Sequence, residues 1–126
     1  NASGLDVDTT VSGAYGSARD VATLFAYAAS TSPQVFAGTT CNSMTLTSIN
    51  GAKTSAFNTD EALGDIPGII MGKTGFTDLA GGNLAVVFDV GPAHPVVAVV
   101  LGSTIDGRFA DMKQLVSAAQ KAVAAQ

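Results

Sequence analysis

The chain has 126 residues, a formal net charge of −4 and a charged fraction of only 13%. Because 47% of its residues are hydrophobic, the composition indicates one compact domain and excludes a disordered chain. Six lysines and arginines supply no basic face for nucleic acid, and no apolar run approaches the roughly 18 residues of a membrane span. The single cysteine, Cys41, excludes an internal disulfide and a cysteine-based metal site, and we expect it to be a partly buried packing residue.

The first third of the chain is predicted to contain a loop followed by helix. Residues 1–16 lack apolar periodicity and are rich in turn-forming residues, which predicts a loop. Ser17 and Asp20 form the pattern of a capping box, and the apolar residues that follow predict a helix over residues 18–30 with one buried stripe. Ser32-Pro33 predicts a second, short helical turn.

Two neighbouring segments in the middle of the chain differ in pattern. Residues 43–49 alternate polar and apolar side chains, which predicts a half-exposed strand. Asn50-Gly51 is a strong turn signal. Residues 53–65 are polar and irregular, so we expect a loop that crosses the surface.

The second half of the chain predicts three successive strands, over residues 68–74, 83–90 and 95–101. Their short connections force neighbouring strands to run antiparallel, and the nearly continuous apolar character of the last two indicates that helices cover both faces. Asp106 begins a final helix with apolar side chains at helical spacing. The predicted fold is therefore α+β, an antiparallel sheet flanked by helices.

Gly72-Lys73-Thr74 invites comparison with a phosphate-binding loop. That motif requires a glycine, four residues and then Gly-Lys-Ser/Thr. Counting back from Gly72 places Pro67 at the position of the first glycine, and a glycine turn rather than a helix follows the Lys-Thr pair. The nucleotide-binding interpretation is therefore excluded.

His94 is the only histidine, which limits the other catalytic schemes. It lies in the connection between two predicted strands, where we expect it to be exposed, so we do not expect it to serve a Ser-His-acid triad. A lone histidine without clustered acids also does not indicate a metal site. Asp60, Glu61 and Asp65 share one predicted loop and form no good pair for carboxylate chemistry.

The strongest functional signal is the polar cluster that ends the first of the three strands. Lys73 and Thr74 supply an ammonium and a hydroxyl, and Gly75 allows a peptide to lie along the strand edge without a Cβ clash. A lone lysine at the end of an apolar strand has little structural reason to be there. We therefore expect this edge to hold an anionic or peptide ligand.

Lys-Thr-Gly in this setting resembles the third active-site motif of the penicillin-binding serine acyl-transferases. Further segments narrow the resemblance to the low-molecular-mass D-alanyl-D-alanine carboxypeptidases, and it extends over essentially the whole chain. These segments are Asn-x-Ser-Gly-Leu (1–5), Ser-Ala-Arg-Asp-Val-Ala (17–22), Asn-Thr (58–59), Pro-Gly-Ile-x-x-Gly-Lys-Thr-Gly-Phe-Thr-Asp (67–78), Ala-Gly-Gly-Asn-Leu (80–84) and Val-Leu-Gly-Ser-Thr (100–104) followed by Arg108. The resemblance implies a partial β-lactamase/transpeptidase-like fold.

The resemblance also implies an activity. Such enzymes are extracytoplasmic and trim peptidoglycan stem peptides, or react with β-lactams, by serine acylation and deacylation. Lys73, Thr74 and Gly75 would be the catalytic motif, with the Thr74 hydroxyl bonding the substrate carboxylate. Phe76 or Thr77 would supply an oxyanion-hole amide, and Arg108 would help to hold the terminal carboxylate. No metal or cofactor is implied.

Two motifs of the family do not occur in this chain. No serine has a lysine three residues on, and Ser-x-Asn occurs only as Ser48-Ile49-Asn50, too far along the chain. We therefore expect residues 1–126 to be a single fragment, the C-terminal portion of a catalytic domain. It would be inactive alone, would need the N-terminal portion of its own domain as a partner, and would expose apolar surface that favours self-association. The export signal of the parent protein would be absent from it.

Other interpretations stay open. A β-lactamase or an endopeptidase of the same superfamily would differ in its turnover of β-lactams. A non-catalytic binding or scaffold domain would keep the fold without the two missing motifs, and the coding sequence upstream of Asn1 would show whether they exist.

Overall fold

A computed structural model of the chain describes residues 1–125. Its helices and strands confirm the α+β class. In chain order they are α1 (Ala18–Thr31), α2 (Pro33–Phe36), β1 (Ser43–Thr47), β2 (Lys53–Phe57), β3 (Ile69–Thr77), β4 (Gly81–Asp89), β5 (Pro95–Ser103) and α3 (Gly107–Ala124), with 3-10 turns at Ala37–Thr40 and Leu63–Asp65. None of the described helices is long and apolar enough to cross a membrane.

Helix α1 begins at the predicted capping box. The Ser17 hydroxyl accepts from the Asp20 amide at 3.2 Å, and the Asp20 carboxylate accepts from the Ser17 amide at 2.8 Å. The prediction of one buried stripe is wrong, because no residue of α1 is fully buried and Leu24 is 62% exposed. The helix instead packs through half-buried side chains such as Val21 and Phe25, which lie four residues apart on one face.

Strands β1 and β2 form an exposed antiparallel hairpin in which Met44 lies opposite Ala56. The prediction of a loop is wrong for Lys53–Phe57, and β1 is exposed at all five residues rather than half-exposed. A strand that buries neither face needs no apolar alternation, so the pattern that identifies a half-buried strand is missing in β2. The Asn50-Gly51 turn is confirmed, with Gly51 in the left-handed region at φ +84°.

The central sheet has the order β3-β4-β5, and both pairs are antiparallel as predicted. Residues 84–88 of β4 are all buried, so both faces of this strand are covered. Helix α3 packs on one face, and α1 contacts the same two strands, β4 and β5. The core on the α3 side consists of Leu84, Val86, Phe88, Ala98, Phe109, Met112 and Val116, joined by Ala62 and Ile66 from the segment before β3.

Gly82 allows the chain after β5 to cross closely over the start of β4. A Cβ atom at this position would lie 2.0 Å from the carbonyl oxygen of Thr104. Gly82 pairs with Phe76 of β3, and α3 begins three residues after Thr104. This close crossing brings the first turn of α3 beside the end of β3.

Candidate active site

Strand β3 is an edge strand, and its outer edge is the centre of the candidate site. The Gly72 amide points away from β4, since it donates to Oγ1 of Thr39 at 3.1 Å. The register with β4 is continuous from Met71 to Thr77, and in an antiparallel pair alternate residues direct their amides to opposite edges. The amides of Thr74 and Phe76 therefore also point to the outer edge, whereas that of Thr77 points to β4.

Lys73 and Thr74 both reach the outer edge of β3. The exposed Lys73 ammonium bends back and donates to the Thr74 carbonyl oxygen. The Thr74 side chain leaves the opposite face of the strand, and its Oγ1 lies 2.6 Å from Oγ1 of Thr59. A cation, a hydroxyl and outward-pointing amides thus occupy one open edge.

A cavity of about 380 Å³ lies between this edge, the 3-10 turn at Ala37–Thr40 and the β1–β2 hairpin. Lys73 and Thr74 line it together with apolar side chains of the hairpin, including Met44 and Phe57. Cys41 also lines the cavity and is exposed, so the prediction that it is partly buried is wrong. The site therefore combines a polar strand edge with an apolar wall.

Arg108, the second residue of α3, is buried beside β3 with 8% of its surface exposed. Its Nη1 donates to the Gly75 carbonyl oxygen at 2.7 Å, and its guanidinium carbon lies 4.7 Å from the centre of the Phe109 ring. The Nε atom is buried and has no hydrogen-bond partner among the described residues. The fold therefore brings Arg108 to the Lys-Thr-Gly segment.

Asp60 is a second buried charge, and its burial was not expected from the sequence. It is only 7% exposed; its Oδ1 accepts from the Ala62 amide at 2.9 Å, whereas Oδ2 is buried and finds no partner within residues 1–125. Burial raises the pKa of this carboxyl above its ordinary 3.8, against the opposing effects of the Ala62 amide and of the positive charge of Arg108.

Asn58 fixes the segment before β3 to the turn that lines the cavity. Its Nδ2 donates to the carbonyl oxygens of Thr39 at 2.8 Å and Cys41 at 3.1 Å, and its Oδ1 accepts from the Asp60 amide at 2.9 Å. Each of these contacts spans elements that are distant in sequence or closes a tight turn. These hydrogen bonds therefore hold residues 58–60 in a defined position beside the cavity.

The remaining predicted residues lie at turns. Thr77 Oγ1 accepts from the Ala80 amide at 3.0 Å, in the turn between β3 and β4. His94 is exposed as predicted, and its Nδ1 lies 2.9 Å from the Pro92 carbonyl oxygen. Asp65 turns outward and pairs with Lys113 of α3 at 3.2 Å.

Comparison with known families identifies the protein family of this chain. The family model of the D-alanyl-D-alanine carboxypeptidases matches residues 1–104. The chain belongs to this carboxypeptidase family. The comparison with curated proteins found no match.

Solved structures agree with the family. Penicillin-binding protein D2 from Listeria monocytogenes, in its ampicillin-bound form, is 34% identical, with a TM-score of 0.74 over 92% of this chain and 45% of its own. A D-alanyl-D-alanine carboxypeptidase from Mycobacterium tuberculosis H37Rv is 28% identical, with a TM-score of 0.62 over 90% of this chain and 44% of its own. The chain thus spans less than half the length of these relatives and shares the fold of that part.

Within this chain of the carboxypeptidase family, most of the predicted site residues lie in one place. Lys73, Thr74, Gly75, Phe76 and Arg108 come together along β3, while the Thr77 hydroxyl serves the adjacent turn. The buried charge of Asp60 and the contact of Thr59 with Thr74 were not predicted from the sequence. The Asn58-Thr59 pair was a signal for this region, but only as part of the family resemblance.

Proposed function

We propose that this chain is part of a serine-type D-Ala-D-Ala carboxypeptidase that trims peptidoglycan stem peptides. Residues 1–126 would form the C-terminal portion of its catalytic domain and supply one wall of the cleft. The single observation that carries the proposal is the outer edge of β3, where the Lys73 ammonium, the Thr74 hydroxyl and the amide of Phe76 face the same open side. Family membership and the ampicillin-bound relative support it.

Each group on this edge has a part in the reaction. The substrate peptide lies along β3, and Thr74 donates to its terminal carboxylate while Lys73 supplies positive potential. The outward amide of Phe76, rather than that of Thr77, stabilises the oxyanion of the tetrahedral intermediate. Arg108 adds positive charge behind Gly75 and draws the carboxylate to this end of the cleft.

The chemistry itself needs a serine from the other portion of the domain. Its hydroxyl oxygen attacks the carbonyl carbon of the penultimate D-Ala and gives up its proton. The peptide C–N bond breaks, and the terminal D-Ala takes up that proton and leaves as the amine. Water then hydrolyses the serine ester and releases the shortened peptide. A β-lactam enters the same first step, and its ring opens without loss of a leaving group.

Exposed apolar side chains support the proposal that a further portion of the domain covers this chain. Tyr15 is 88% exposed, and Leu24 and Tyr27 of α1 are also exposed. Large apolar side chains with this much exposed surface are candidates for contact with a partner surface. In the isolated chain, a second copy would cover these side chains by self-association. The substrate places the intact enzyme outside the cytoplasmic membrane.

Labelling by a fluorescent penicillin tests the proposal. We expect the full-length protein to label covalently and Lys73→Ala to label about 10²-fold more slowly, because the variant lacks the charge at the reacting edge. Lys121→Ala, which removes an exposed lysine near the end of α3, is the matched control and should label at the wild-type rate. Absence of labelling in the wild type would refute the proposed enzyme, and equal rates for Lys73→Ala and wild type would refute the role of Lys73.

A further inference from the structure

Thr59 has no part in the function proposed above, yet its hydroxyl touches the candidate site. Its Oγ1 lies 2.6 Å from Oγ1 of Thr74, which is hydrogen-bond distance for two hydroxyls. Thr59 lies between β2 and β3, whereas Thr74 is in the middle of β3. The contact therefore depends on the tertiary fold and not on local sequence.

The residues on both sides of Thr59 are held in place. Asn58 donates to the carbonyl oxygens of Thr39 and Cys41, and the next residue, Asp60, is buried. Because the backbone is fixed before and after Thr59, little conformational entropy is lost in placing its hydroxyl over Thr74. Such a contact is preorganised rather than an incidental surface pair.

The two hydroxyls have one proton each, and this determines the direction of the hydrogen bond when an anion is bound. An ionised carboxylate can only accept, so Thr74 must donate its single proton to the ligand. The Thr74 oxygen then remains an acceptor, and Thr59 is the donor beside it. Both hydrogen bonds form only in the order Thr59 to Thr74 to carboxylate, and each polarises the next.

We propose that Thr59 is a positioning residue that directs the Thr74 proton to the carboxylate of the ligand. This rests on the function proposed above, in which Thr74 binds the terminal carboxylate of the peptide. Thr59 acts through Thr74 and contacts no reacting atom. Its hydroxyl therefore favours ligands that end in a free carboxylate over the same ligands without one.

The test compares Thr59→Val, which keeps the shape and removes the hydroxyl, with Thr59→Ser, which keeps the hydroxyl. The full-length protein is assayed on a peptide ending in D-Ala-D-Ala and on the same peptide with its terminal carboxyl converted to the amide. We expect Thr59→Val to lower kcat/KM on the free acid by about five- to tenfold and on the amide by less than about twofold. Thr59→Ser should stay within about twofold of wild type on both peptides.

Equal losses on the acid and the amide, or no loss on the acid, would overturn the positioning role while leaving the enzyme assignment intact. A wild-type protein that neither releases D-Ala nor labels with penicillin would overturn the enzyme assignment and the role of Thr59 with it. If Thr59→Val lowers the thermal unfolding midpoint, a double-mutant cycle separates a loss of positioning from a loss of stability. In the Thr74→Val background, Thr59→Val should then cause no further loss on the acid, and an undiminished further loss would overturn the proposal.

Discussion

Arg108 and Asp60 are the charged side chains that the described part of the chain buries. Their charges are opposite, and both lie beside β3, Arg108 at Gly75 and Asp60 at Gly72. A buried charge is costly unless an opposite charge or hydrogen bonds compensate it. The positive charge of Arg108 offsets part of the cost of burying the Asp60 carboxylate, but burial dominates and the two side chains form no ion pair within residues 1–125.

The raised pKa of Asp60 makes stability depend on pH. The unfolded chain releases this proton near pH 3.8, whereas the folded protein retains it to higher pH because burial disfavours the ionised form. Between these two pKa values the folded state binds more protons, so the free energy of unfolding decreases as pH rises through this window.

Asp60→Asn should remove this decrease, because the amide does not titrate. Denaturant unfolding at a series of pH values from about 3 upward measures the free energy of unfolding of both proteins. The difference in this free energy between wild type and variant should grow through the window and then level off. A variant whose unfolding free energy follows the wild-type pH profile in parallel would show that Asp60 is not the responsible group.

At the scale of elements, the junction of β4, β5 and α3 is tightly constrained. Gly82 contacts Thr104 so closely that a methyl group has no room there. A larger residue at position 82 would force the backbone to move. Since Gly82 pairs with Phe76, this movement should reach the outer edge of β3.

Gly82→Ala should lower the free energy of unfolding by about 3 kcal/mol or more. Gly64→Ala is the matched control, since a Cβ there meets no atom within 4 Å and its φ is not in the left-handed region. We expect the control to stay within about 1 kcal/mol of wild type. Chemical denaturation of both variants provides the measurement, and similar values for the two would contradict the crossing described here.

The sequence predicted the helices, β1 and the three strands of the central sheet, and it missed β2. Strands β3, β4 and β5 and helix α3 have an apolar pattern imposed by the core, so their existence and pairing could be predicted from the sequence. Strand β2 buries neither face and has no such pattern. The site divides in the same way: Lys73-Thr74-Gly75 is a local motif, whereas the contacts of Thr59 and Asp60 arise only when distant segments meet.

At the scale of the whole molecule, we propose that the chain forms one wall of a cleft. The core lies between the sheet and α3, while α1 and the cavity beside β3 remain open to solvent. This distribution accords with the proposal that a second portion of the domain, bearing the serine, packs against the open side. The proposed carboxylate-binding edge is assembled without it, because the contacts of Thr74 with Thr59 and of Arg108 with Gly75 lie within this chain.

We propose that the edge formed by Lys73, Thr74 and Gly75 binds the terminal carboxylate of a D-Ala-D-Ala peptide. This binding is tested most directly by the release of D-alanine by the full-length protein, with Thr74→Val and Thr74→Ser compared with wild type. We predict a loss of kcat/KM of about 10- to 100-fold for valine, which cannot donate to the carboxylate, and near-wild-type turnover for serine. Release of D-alanine by Thr74→Val at the wild-type rate would show that Thr74 does not bind the terminal carboxylate.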